Sequence, residues 1–114
     1  MTQPIDIVQA QLDAYNRRDL KAFCACFAAD AQIFELGASD PSTRGITAIR
    51  ERYDALFRAS PNLLSEVITR TAFGRAVVDL ERITGRNGSV EPFEILAIYE
   101  VVDGRIARVH FVRP

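Results

Sequence analysis

The chain has 114 residues, 48% of them hydrophobic and 25% charged, and a formal net charge of -1 at pH 7. That length suffices for one domain, residues 1–114, around one continuous core, and so small a charge gives no global attraction to nucleic acid or to an anionic membrane. No apolar run approaches the roughly 20 residues of a membrane span, and Met1-Thr2-Gln3-Pro4 lacks the basic and apolar regions of a secretory leader, so a soluble cytoplasmic protein is expected.

From Ile5 to about Asn16, apolar groups at Ile5, Val8, Leu12 and Tyr15 follow a helical period. Pro4 fits a first-turn proline. Asp19 is a good N-cap for a second helix, with Leu20, Phe23 and Phe27 as its inner stripe and Ala29-Asp30 as its end. Cys24 and Cys26 are the only cysteines, and an i, i+2 pair on a helix points to different sides. They read as small buried or half-buried thiols in a reducing compartment, with neither a disulfide nor a metal site implied.

Ala31 to Leu36 reads as a strand, with Ala31, Ile33 and Glu35 on one face and Gln32, Phe34 and Leu36 on the other. Gly37 to Arg44 is a loop by composition. A third helix is predicted over Ile46–Ala59, its inner face Ile46, Ile49, Tyr53, Leu56 and Phe57, ended by Ser60-Pro61-Asn62. The period then changes to that of strands, predicted over Leu63–Phe73, Ala76–Thr84, Val90–Val102 and Arg105–Val112. Asn87-Gly88 and Asp103-Gly104 are strong hairpin signals, so an antiparallel, twisted sheet follows.

Helices followed by a run of strands give an α+β chain with the helices on one sheet face. The last three strands are apolar on both alternations, so the face away from the helices should meet another subunit, and a homodimer is expected. The five arginines between Arg44 and Arg70 are scattered over helix and strand and form no nucleic-acid patch. No phosphate loop, nucleophile triad or cofactor fingerprint is present, so no cofactor is expected.

Four blocks carry a resemblance: Tyr15-Asn16-Arg17-Arg18-Asp19-Leu20, Phe27-Ala28-Ala29-Asp30-Ala31, Gly45 to Tyr53, and Val102-Asp103-Gly104-Arg105-Ile106. With the element order, they make the chain similar to the NTF2-like superfamily, and within it to the ketosteroid-isomerase and SnoaL-like group. The resemblance implies a cone of three N-terminal helices packed on a curved antiparallel sheet, with a ligand pocket at its wide end. It places Glu35 where ketosteroid isomerases keep their carboxylate base. Tyr53 matches a tyrosine supporting the oxyanion network, and Phe27 takes the place of another such tyrosine. Gln11 and Ile98 stand where those isomerases have the oxyanion-hole tyrosine and aspartic acid. The same alignment turns Val109 and Phe111 inward and His110 outward, so His110 is either a dimer contact, the favoured reading, or a secondary catalytic candidate.

Glu35 is then either a buried acid with a raised pKa, fit for proton transfer near neutral pH, or a solvated rim charge paired with Arg44. Tyr15 and Tyr53 are either ligand-orienting phenols or core aromatics. Gln11 reads as an exposed helix residue that could instead donate its amide to a ligand. Asp79 and Glu81 share one strand face, as an acid pair in the pocket or, the favoured reading, as partners of Arg70 or Arg108. The leading expectation is proton transfer, of isomerase, cyclase or lyase type, on an apolar oxygenated substrate such as a steroid, terpenoid or polyketide. Glu35, Tyr15 and Tyr53 would act on it, and Phe23, Phe27, Phe57, Val109 and Phe111 would wall the pocket. The rival is a non-catalytic ligand-binding or dimerisation module.

Overall fold

A computed structural model describes residues 2–114. Among them lie helices α1 (Pro4–Arg17), α2 (Leu20–Ala25) and α3 (Ile46–Ala59), with strands β1 (Phe27–Glu35), β2 (Thr43–Arg44), β3 (Leu64–Phe73), β4 (Ala76–Thr84), β5 (Phe93–Val102) and β6 (Arg105–Val112). The six strands form one curved sheet in the order β2-β1-β6-β5-β4-β3, with the helices over its inner face. No helix among the described residues is long and apolar enough to cross a membrane.

Local chemistry accounts for most boundaries. Pro4 opens α1, and Asp19 caps α2 by accepting a hydrogen bond from the Ala22 amide at 3.1 Å. The β5–β6 turn places both Asp103 and Gly104 at positive φ, 52° and 75°, the left-handed pair a tight hairpin requires. Strands β3 to β6 pair antiparallel in sequence, as expected.

Four features depart from the sequence reading. First, β1 runs parallel to β6, so the sheet is mixed rather than antiparallel: the chain passes through α3 and four strands, β2 to β5, before β6 returns beside it. Second, a two-residue strand, β2, hides in the Gly37–Arg44 loop and pairs Thr43 with Ile33. Third, Phe27 opens β1 instead of closing α2, because β6 claims this stretch: Phe27 sits beside Ile106, whose amide donates to the Cys26 carbonyl at 2.8 Å. Fourth, β5 starts only at Phe93, leaving Val90 exposed.

The core lies between the helices and the inner sheet face. Phe23 is its hub, its ring centroid 4.5 Å from that of Tyr53 and 5.0 Å from that of Phe27, with Phe57 edge-on at 5.7 Å. Cys24 is buried and Cys26 half-buried, both free thiols. The outer face carries Phe34, Val78, Leu80, Leu96, Ile98, His110 and Val112, all half-buried, with no helix over them. His110 stacks flat on Phe34 at 4.8 Å there.

Candidate functional site

Between α1, α3 and the inner face of β4 and β5 lies a cavity of about 400 Å³, within the size range of small-molecule sites. Helix α1 contributes Gln11, Leu12 and Tyr15; α3 contributes Arg52, Tyr53 and Leu56. Glu81 and Ile83 come from β4, Ile95 and Tyr99 from β5, and Phe111 from β6, with Arg86 and Arg113 from segments flanking the strands.

The acid inside this cavity is Glu81, 5% exposed. Alternation along β4 sends Val77, Asp79, Glu81 and Ile83 inward. The Ser65 hydroxyl donates to Glu81 Oε1 at 2.7 Å, and the Tyr99 hydroxyl donates to Oε2 at 3.1 Å. Burial raises the Glu81 pKa, with the nearby Asp79 charge adding to it, while the Ser65 and Tyr99 hydrogen bonds pull it back. Burial likewise raises Tyr15 and Tyr53, and burial with the Glu81 charge carries Tyr99 well above the ordinary phenol range. All three phenols therefore stay protonated at neutral pH.

The two carboxylates of β4 have separate fates. Asp79 is wholly buried and takes a two-pronged contact from Arg70, at 2.7 Å from Nε and 2.9 Å from the terminal nitrogen. Arg70 also reaches Gln9 on α1 at 2.6 Å, tying the helix to the sheet. The Arg70 partnership read from the sequence is thus found for Asp79, whereas Arg108 pairs with Glu100.

Glu35 is not inside the cavity. Its side chain is 39% exposed, and it pairs with Arg113, not Arg44, at 2.6 Å. The strand end carrying it reaches the rim, where the last residues of the chain cross beside it. Gln11 is buried against the cavity rather than exposed. Phe23, Phe27, Phe57 and Val109 belong to the buried core instead of walling the cavity; Phe111 does line it. Ile98 points to the outer face, between Val78 and His110. Its neighbour Tyr99 occupies the inward position, and His110 faces outward as expected.

The sequence reading missed Tyr99 and the three arginines. Tyr99 carried a signal, since it shares an alternation with Ile95 and Ala97, but which face of β5 lay under the helices was open. Arg52 flanks the inner stripe of α3. It donates to the Thr43 hydroxyl at 2.9 Å and lies over the rings of Tyr53 and Phe111, 5.4 and 5.9 Å from their centroids. Arg113 covers Phe111 at 5.8 Å, and Arg86 covers Phe93 at 5.5 Å. Among the described residues no group of three or more His, Cys, Asp or Glu side chains is arranged to hold a metal ion.

The profile of the SnoaL-like domain family matches residues 8–109. No curated protein sequence matches the chain. Among solved structures, an uncharacterised cystatin-fold protein from Novosphingobium aromaticivorans is similar, with 25% identity and a TM-score of 0.90 over 99% of this chain and 100% of that one. A candidate polyketide cyclase from Sinorhizobium meliloti follows, with 26% identity and a TM-score of 0.79 over 96% and 99% of the two chains. A candidate ketosteroid isomerase from Kribbella flavida shares the fold, with 21% identity and a TM-score of 0.83 over 98% and 78%.

Proposed function

The chain belongs to the SnoaL-like domain family, of NTF2-like fold, and on that premise we propose that it catalyses cofactor-independent proton transfer on an apolar, oxygenated small molecule. The reaction is of isomerase, cyclase or lyase type. One observation carries this reading: a buried carboxyl with a raised pKa, Glu81, lines a cavity with apolar and phenolic walls. Glu81 removes a proton from carbon next to a carbonyl and returns it to another carbon of the same substrate in an isomerisation, to the attacked carbonyl oxygen in a ring closure, or to the departing group in an elimination. Ser65 and Tyr99 hold its two oxygens in place. Tyr15 and Tyr53, kept protonated by burial, donate to the carbonyl oxygen as negative charge develops there. Gln11 offers an amide to the same oxygen. Glu35, the acid favoured by family position, holds Arg113 at the rim.

The test is deuterium uptake from solvent into β,γ-unsaturated cyclohexenones, with and without a carboxylate-bearing side chain, followed by NMR. Glu81→Gln is expected to slow exchange at least about 100-fold, and Glu35→Gln to leave it within about threefold. The reverse ranking returns the role to the rim acid.

A second reading, a non-catalytic binding module, is favoured by the fact that both Glu81 oxygens already accept hydrogen bonds from the protein. In that case Glu81 is a tie between β3, β4 and β5, and no cyclohexenone exchanges above background in wild type. We also propose a homodimer through the outer sheet face, whose apolar side chains have no cover among the described residues.

A further inference from the structure

The cavity lining holds more positive charge than the proton transfer needs. Arg52, Arg86 and Arg113 all line it, and Glu81 is the one acid among the lining residues. Arg113 is matched by Glu35 just outside. Arg52 and Arg86 have no carboxylate within ion-pair distance among the described residues; aromatic faces hold both, and hydroxyls also hold Arg52. Two guanidinium groups are thus fixed in place with their charge uncompensated, the arrangement a carboxylate or similar oxyanion recognises.

A gradient of burial gives the ligand a direction. Glu81 and Tyr99 are 5% and 3% exposed, whereas Arg52 and Arg86 are half-buried and Arg113 is exposed. The charged end of a ligand therefore belongs at the outer, arginine-lined end. Its apolar body belongs over Leu12, Ile83 and Ile95, which brings a carbon centre toward Glu81.

We propose that the ligand of this cavity is an anionic apolar molecule, bearing one carboxylate or an equivalent delocalised oxyanion, that Arg52 and Arg86 bind at the outer end. The proposal rests on the reading of the Glu81 cavity as the ligand site. It goes beyond that reading by making charge a requirement, which a neutral steroid-like substrate does not meet.

The chain offers its own reporter. It has no tryptophan and three tyrosines, and all three line the cavity, so intrinsic fluorescence arises there. Octanoate and 4-cyclohexylbutanoate, each against its primary amide, are titrated by tyrosine fluorescence and calorimetry. The acids are expected to bind at least tenfold tighter than the amides, and to weaken with added salt. Arg86→Gln should cost the acids about tenfold and leave the amides unchanged. Arg58→Gln, which removes an exposed arginine outside the cavity, should change neither. Amides binding as tightly as acids, or Arg86→Gln weakening both alike, overturns the anion requirement and leaves the cavity reading standing. Acid binding that leaves the tyrosine signal unmoved and survives Arg86→Gln places the anion elsewhere and overturns both.

Discussion

Asp79 and Glu81 show how much two residues of separation decide. They share a face and a strand, yet Asp79 is neutralised by Arg70 while Glu81 meets only hydroxyl donors. The difference comes from register. The β-bulge between Val67 and Thr69 sets Arg70 opposite Asp79 and leaves Ser65 to reach Glu81. A consequence follows for stability. Because the folded pKa of Glu81 is raised, the folded chain binds more protons than the unfolded chain between the ordinary glutamate value of about 4.3 and that raised value. Stability is therefore lost as pH rises through that window. Glu81→Gln does not titrate, so wild type should lose melting temperature relative to the variant as pH rises above the ordinary glutamate value and through the raised folded value. Every tenfold difference in proton affinity between the folded and unfolded chains is worth about 1.4 kcal/mol, or several degrees. Parallel pH profiles would show that Glu81 titrates normally. The shared face of these acids was legible in the sequence; their partners were not, because a single bulge is invisible to periodicity. Gln11 was misread for a related reason: an amide inside a helical stripe looks like solvent exposure until a cavity lies beneath it.

At the scale of elements, long strands and their turns were readable, since Asp103-Gly104 dictates a hairpin almost by itself. Helix α3 was readable end to end because Ile49, Tyr53 and Phe57 keep one stripe. The α2–β1 junction was not. Leu20, Phe23 and Phe27 obey a helical period, but a pairing with β6, far along the chain, overrides it at Phe27. The loop between β4 and β5 matters more than its composition suggests. Gly85 has φ of 77°, and a Cβ there would stand 2.2 Å from the Asn62 carbonyl oxygen. Gly85→Ala is expected to cost at least about 1–2 kcal/mol and to displace its neighbour Arg86 from the cavity. A melting temperature within a degree of wild type would contradict the close approach.

For the whole molecule, the curved sheet divides labour between its faces: the inner one holds the cavity and the outer one holds an apolar surface uncovered among the described residues. Phe34 and His110 stack at one side of that surface, and Val78 and Ile98 continue it across the sheet. If two copies associate there, wild type sediments as a dimer at micromolar concentration. Ile98→Lys, which sets a charge in the middle of the patch, should then yield a folded monomer. A monomeric wild type would leave this face without a partner copy. The sequence announced this surface through its doubly apolar strands. It did not announce the arginines of the cavity, because an arginine on a helix flank or after a final strand reads the same whether it meets solvent or a ligand.

The parallel seam between β1 and β6 imposes an order of events on a chain emerging from a ribosome. Hairpins β3–β4 and β4–β5 join neighbours in sequence and are free to close early. Strand β1, made first, has only the two residues of β2 to lie against until β6, the last strand, has been synthesised. The oldest strand waits for the youngest, and the cavity, whose wall includes Arg113, is among the last parts of the molecule to exist.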